Sequence, residues 1–337
     1  MEVRYLYVWI SGVIAFCFIY LPGAASAAIA PDEQKTKTRM ALYEYIETTA
    51  NIPWYFIAAV DQYEHSVRNS RRDLPDSQGP VGIRIEPGGW AGIMNPNPWD
   101  QNPASISFWG GLGADGNGDG KASIKRDEDL LYAIASYLLK FGSDEGNFRI
   151  GLWNYYRRDK AVGIIMGNAR LFKAYGTVNL NKKAFPVPVR THYTYRSTWG
   201  SARGWGGRRS HEGTDIFADY GLPVRSTCFG IIEMKGWNKF GGWRIGIRDI
   251  NNTYHYFAHL NGFAKGLETG QIVEPGTLIG AVGSTGYGPP GTSGKFPPHL
   301  HYGLYKDNGR LEWAFDPYPL LKVWERREIQ EKRRNLR

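Results

Sequence analysis

The side chains with the most explicit chemistry in this chain are His211 and Asp215, four apart in His-Glu-Gly-Thr-Asp, and His299 and His301, two apart in His-Leu-His. Imidazole nitrogens and carboxylate oxygens are zinc ligands, and a catalytic zinc takes three of them and keeps a fourth position for water. Residues two apart on a strand leave the same face, so His299 and His301 are expected to present to one pocket. His211, Asp215 and one of that pair fill three positions, and the other stays beside them. His259 closes an alternating run, Tyr254-His255-Tyr256-Phe257-Ala258-His259, and offers a further imidazole. Alternation places His255 on the face of His259, with a packed or hydrogen-bonded role. A zinc lowers the pKa of its water to about 7 and polarises a carbonyl, and a neighbouring imidazole takes the proton. The residue set therefore predicts metal-assisted amide hydrolysis.

Other candidates are sparser. Glu64 is the best-placed general acid of the first half. Asp115-Gly-Asn117-Gly-Asp119-Gly120 opens like a calcium loop, with oxygen ligands at positions 1, 3 and 5 and then glycine. Arg126 stands where the closing acid belongs, with Asp127 and Glu128 directly after it; the alternative is a turn capping the next helix. The two cysteines, Cys17 and Cys228, give no disulfide framework, and Cys228 is expected to be a small buried residue. His65 and His192 are expected only at packing or surface positions.

The elements that must position these groups divide the chain. Lys35 to Thr49, Pro53 to Glu64, Glu128 to Phe141 and Asp159 to Tyr175 carry helical signals, with proline opening the second. Asn179 to Val189 reads as a linker entering a strand. Cys228–Met234, Trp243–Asp249, Thr253–His259, Leu278–Val282 and His299–Tyr305 then read as short strands between glycine turns, an all-β pattern. With 337 residues, two domains are expected: helical over 28–178, linker over 179–189, β over 190–321, and a solvated, partly helical basic tail over 322–337. That tail holds seven Lys or Arg against three Glu. The net charge of +9 suits an anionic polymer such as nucleic acid, a membrane surface or a cell wall. Tyr5 to Leu21 is an apolar run ahead of Ala25-Ser26-Ala27, which predicts an exported protein with residues 1–27 as a cleaved signal peptide or an uncleaved anchor.

Ser197-Thr-Trp-Gly200, His211-Glu-Gly-Thr-Asp215, Phe257-Ala-His259-Leu260, the glycine-rich run from Gly270 to Gly286, Pro298-His299-Leu-His301 and Asp316-Pro317 together resemble the M23 (lysostaphin/LytM-like) zinc metallopeptidases. The resemblance implies one zinc held by His211, Asp215 and His301, with His259 and His299 as catalytic imidazoles. It implies a compact antiparallel sheet with a groove on its open face and the peptide part of peptidoglycan as substrate, not nucleic acid. Two features depart from the pattern. Tyr287–Pro298 is a longer spacer, expected in a groove wall, and Trp205 stands where some members have a tyrosine.

The helical half resembles the lysozyme-like lytic transglycosylases at Glu64, Asp115–Gly120, Ala133–Leu138 and Trp153-Asn154-Tyr155. His65 intervenes before Ser66, and Gly92-Ile-Met94 runs into Asn95, so a wall-binding or scaffolding module is expected over an active glycan cutter. The fold class is thus α+β, a lysozyme-like helical domain before an antiparallel M23 domain. This order of parts resembles the sporulation M23 endopeptidases that cut the L-Ala–D-Glu bond of cortex stem peptides, acting outside the cytoplasm at the forespore. The alternatives are a bifunctional hydrolase that also cuts glycan through Glu64, and a non-catalytic scaffold in a membrane-associated complex.

Overall fold

A computed structural model describes residues 31–75, 79–204 and 208–336. Seven helices come first: α1 (Pro31–Ala50), α2 (Trp54–Arg68), α3 (Pro87–Ala91), α4 (Pro103–Phe108), α5 (Asp127–Leu139), α6 (Glu145–Tyr156) and α7 (Asp159–Tyr175). Pro53 caps α2 with its φ already near the helical value. The aromatic side of α2 buries against α6 and α7: Phe56 stacks on Phe148 and Trp54 on Phe172. Helix α7 stops at Gly176, whose φ of 65° is the left-handed turn that glycine adopts without penalty. The proposed signal or anchor over 1–27 lies outside the described residues, among which no helix is long and apolar enough to cross a membrane.

The β half follows as β1 (Tyr193–Tyr195), β2 (Ala202–Arg203), β3 (Arg209–Ser210), β4 (Thr214–Ala218), β5 (Pro223–Arg225), β6 (Gly230–Asn238), β7 (Gly242–Asp249), β8 (Thr253–Phe263), β9 (Ile272–Val273), β10 (Leu278–Val282), β11 (His299–Asp307) and β12 (Glu312–Phe315). All pairings are antiparallel, and the main sheet runs β1-β4-β11-β8-β7-β6-β9. Alternation along β11 sends Leu300, Tyr302 and Leu304 into the core. His299 and His301 leave by the opposite face, as the spacing predicts.

Two expectations are sharpened here. The 179–189 stretch, expected as a linker entering a strand, packs into the β domain: Phe185, Val187 and Val189 are buried in its core. The main chain of Pro186 also accepts a hydrogen bond from Arg225. The basic tail is helical and largely exposed, as expected, but it is anchored to the core at one point, Trp324. It forms most of a final helix, α8 (Tyr318–Arg334), which buries Leu321 and Trp324 against the back of the sheet. Glu325 on α8 accepts the hydroxyls of Tyr193 and Tyr195, and Glu328 takes Arg225. A stripe of few apolar residues is easily hidden in so charged a segment.

The helical and β halves meet along β6, where Ile231 joins the helical core. A second joint is ionic. Arg158, just before α7, donates to both oxygens of Asp307, which is fully buried at the end of β11. Removing one partner of a buried pair leaves the other charge uncompensated. Arg158 is partly exposed, so Asp307→Ala should cost roughly 2–3 kcal/mol of unfolding free energy, measured by urea titration. In a double-mutant cycle the same substitution should cost much less when Arg158 is already alanine; equal costs in both backgrounds contradict the coupling.

Candidate metal centre and catalytic groove

The register of β4 against β11 sets Asp215 directly opposite His301, and His299 opposite Phe217. His211 enters just after β3. Three ligand-type atoms converge: His301 Nδ1 lies 3.0 Å from Asp215 Oδ1, His211 Nε2 lies 3.1 Å from the same oxygen, and the two nitrogens are 3.0 Å apart. Tetrahedral zinc with bonds of about 2.0–2.1 Å needs ligand separations of about 3.3 Å, so this triangle fits the ion with small relaxation. Among the described residues this is the group of His, Cys, Asp or Glu side chains that could hold a metal. His299 Nε2 stands further off, 3.8 Å from Asp215 Oδ1.

The glycine inside His-Glu-Gly-Thr-Asp has a steric reason. A Cβ on Gly213 would lie 2.5 Å from the His301 ring, so no other residue lets the first ligand segment approach the third ligand.

Three of the imidazoles are fixed from behind. His211 Nδ1 donates to the Thr198 carbonyl, His259 Nδ1 to that of Thr285, and His299 Nδ1 to that of Pro297. A carbonyl only accepts, so each ring carries its proton on Nδ1 and presents an unprotonated Nε2 forward. The second oxygen of Asp215 accepts from Arg203. Burial alone raises the Asp215 carboxyl, but the imidazoles of His211, His301 and His299 around it outweigh that and hold it well below the usual carboxylate range. Burial, with His299 and His301 nearby, lowers His259 to about 3, and burial also lowers His299. Both stay neutral near pH 7 and able to accept a proton.

His259 reaches the groove by a backbone irregularity. Strict alternation along β8 predicts it on the face of His255 and Phe257. Between Phe257 and Leu260, however, β8 advances three residues while β7 goes two, from Ile245 to Trp243. This β-bulge, with His259 at φ 63°, turns the imidazole to the side of Tyr256 and Ala258. The expected shared face is therefore incorrect. His255 lies in the opposite, core layer, hydrogen-bonded to Tyr302 and Asp249 and stacked on Trp324.

The groove has a volume of about 370 Å³. Tyr287 and Phe296, from the long spacer, form its aromatic wall together with Phe240. Phe296 packs edge-on to His259 at 4.7 Å and against His299 at 5.1 Å. The spacer is thus a groove wall, as expected. Sequence reasoning missed Arg203, Arg209 and the three accepting carbonyls. Two of these, from Thr198 and Thr285, lie inside stretches that carry the M23 resemblance, Ser197–Gly200 and the run from Gly270 to Gly286, which was the available signal. Trp205 lies outside the described residues.

The remaining candidates fall elsewhere. Cys228 is buried in the β core, which pushes its thiol up to about 12. The Asp115–Gly120 loop spends its oxygens on its own main chain: Asp115 accepts from Gly118, Asp119 and Gly120, Asn117 from Asp119, and Asp119 from Lys121. Asp129, rather than Asp127 or Glu128, reaches back, and it takes the amides of Gly116 and Ser123. The geometry is that of a turn locked to the next helix and gives calcium no support. His65 bonds the Pro80 carbonyl, and His192 is exposed.

An antiparallel sheet whose open face joins a two-histidine, one-aspartate metal centre to two neutral imidazoles defines a metallohydrolase. Residues 209–313 match the peptidase family M23 model. The chain is 63% identical over 326 residues to the L-Ala–D-Glu endopeptidase of Bacillus subtilis (strain 168), covering 97% of this chain and 99% of that one. It is 32% identical over 114 residues to lysostaphin of Staphylococcus simulans, covering 33% of this chain and 21% of that protein. The solved catalytic domain of that lysostaphin is 30% identical, with 39% of this chain and 92% of that one covered, at a TM-score of 0.31. The chain belongs to peptidase family M23 and is a metallo-endopeptidase.

The buried His255 gives a pH signature away from the metal. Burial lowers its pKa against the opposing pull of Asp249. Above about 6.5 folded and unfolded chains both keep it neutral, and the stability is fully present. As pH falls below that, the unfolded chain takes up a proton that the folded chain refuses, so stability drops by up to about 1.4 kcal/mol per pH unit. Urea midpoints from about pH 7.5 to 5 should fall more steeply for the natural protein than for His255→Gln; parallel slopes mean that His255 is charged in the folded state.

Proposed function

We propose that the protein is a zinc endopeptidase that cuts the L-Ala–D-Glu bond of peptidoglycan stem peptides, in the maturation of the spore cortex. The observation that carries this reading is the 63% identity to the L-Ala–D-Glu endopeptidase, which runs through the helical half as well as the groove. His211, Asp215 and His301 hold the ion. Zinc bound there supplies Lewis acidity toward the scissile carbonyl and toward water. His259 and His299 are the catalytic imidazoles. Their rear hydrogen bonds fix ring and tautomer, so Nε2 of one accepts a proton from water and the pair returns it to the leaving amine. Arg203 keeps the Asp215 carboxylate oriented. The aromatic wall of Tyr287 and Phe296 against His259 and His299 keeps water from that side of the groove.

Residues 28–178 serve as a lysozyme-like module that engages the wall, and 190–321 as the peptidase. The leader over 1–27 places both at the outer face of the cytoplasmic membrane or in the wall, facing the forespore cortex, with the leader itself as the membrane contact where it is retained. Convergence of all three ligands argues against a non-catalytic scaffold.

His211→Ala should abolish both zinc content and peptide release. His299→Ala should reduce release by at least about a hundredfold, the usual scale for a lost acid–base group, while keeping most of the zinc. Loss of zinc in His299→Ala instead exchanges the roles of His299 and His301.

One observation favours the second reading, glycan cleavage through Glu64. Burial raises its carboxyl to about 7, against a hydrogen bond from Tyr156, so an acid is available at neutral pH. Glu64 is nevertheless not among the side chains lining the large groove of the helical half near Arg84 and Trp99. Digests made with Glu64→Gln should therefore show the same glycan ends as those of the natural protein; new ends that vanish with the substitution establish the bifunctional enzyme.

A further inference from the structure

We propose that Arg209 selects the glutamyl residue of the substrate by binding its free carboxylate. This rests on the Ala–Glu reading above. A glutamyl residue acylated on its amine has two carboxyls, and only one can continue the chain. The other remains an anion, ionised near neutral pH, on the residue that supplies the amine of the scissile bond. A groove that closes over that residue without a cation leaves a desolvated charge unpaired.

Among the described residues, four charged side chains other than the histidines line the groove: Arg203, Arg209, Glu212 and Asp215. The two acids repel a carboxylate. Arg203 is spent on Asp215. Arg209 stands at the exposed rim, its guanidinium carbon 5.2 Å from the centre of the Phe240 ring and 5.5 Å from that of Tyr287, and it donates to the Tyr287 hydroxyl. A guanidinium held against two rings has lost rotamer freedom before substrate arrives, so less is lost on binding. Its five donors allow it to hold the wall and a bidentate carboxylate together.

The placement is near the chemistry. Tyr287 stacks on His259 at 6.3 Å, so one ring separates the guanidinium from a catalytic imidazole. Two further cations contact the same wall. Lys239 lies over Phe240, and Lys295 holds the Tyr287 carbonyl at 2.7 Å. They raise the positive potential that Glu212 and Asp215 oppose.

The test uses two γ-linked Ala–Glu peptides that differ only at the free group, one a carboxylate and one a carboxamide, with the zinc-loaded full chain. The natural protein should prefer the carboxylate in kcat/KM by about tenfold or more, the scale of a charge-assisted bidentate pair. Arg209→Gln should bring the ratio of the two substrates close to one at unchanged zinc content, and Arg209→Lys should keep part of the preference. A natural protein without preference, or an Arg209→Gln protein that keeps it, overturns the assignment while both peptides are still cut. If the natural protein cuts neither peptide yet releases other stem-peptide fragments, the Ala–Glu reading fails and this assignment fails with it.

Discussion

The pairing of Asp215 opposite His301 across β4 and β11 is the constraint on which the site depends. A strand register has a period of two, so a slip of one residue would turn His299 and His301 into the core and Leu300 and Tyr302 into the groove. The core face prevents that slip. Leu300, Tyr302 and Leu304 are fully buried against Phe257, Ile216 and the α8 helix. Hydrophobic burial on one side of the sheet thus sets metal geometry on the other. Gly213 then lets the His211 segment close on this pair without steric conflict.

The same strand ties the two halves together. β11 begins at the imidazoles and ends at Asp307, where Arg158 from the helical half is clamped. Lys160 and Arg248 extend the ionic joint through Glu312 on the neighbouring β12. The helical half is therefore fastened to the far end of the strand that carries His299 and His301.

Much of this was legible in the sequence because it follows short-range rules. Helices α2, α5 and α7 and strands β7, β10 and β11 stand where periodicity and turn residues place them. The three ligand residues were readable as types, and His299 and His301 as sharing a face. What escaped was set by the third dimension. The buried stripe of α8 was masked by its charges, and the prolines and lysines of 179–189 suggested a linker although Phe185, Val187 and Val189 fill the β core. A bulge in β8 has no alternation signature, so the side of His259 could not be read. Arg203 and Arg209 looked like two cations in a basic, glycine-rich loop, and only the folded wall gives them neighbours.

The backbone at His259 also limits what can replace it. Its φ of 63° lies in the region that β-branched residues avoid and that glycine, asparagine, aspartate and, less often, histidine occupy. The bend was set by the sheet, since the amide of His259 is tied to the Gly241 carbonyl and the neighbouring strands fix the extra residue. The bend therefore does not depend on the imidazole: glycine or asparagine at this position would fit the same backbone, whereas valine or isoleucine would strain it.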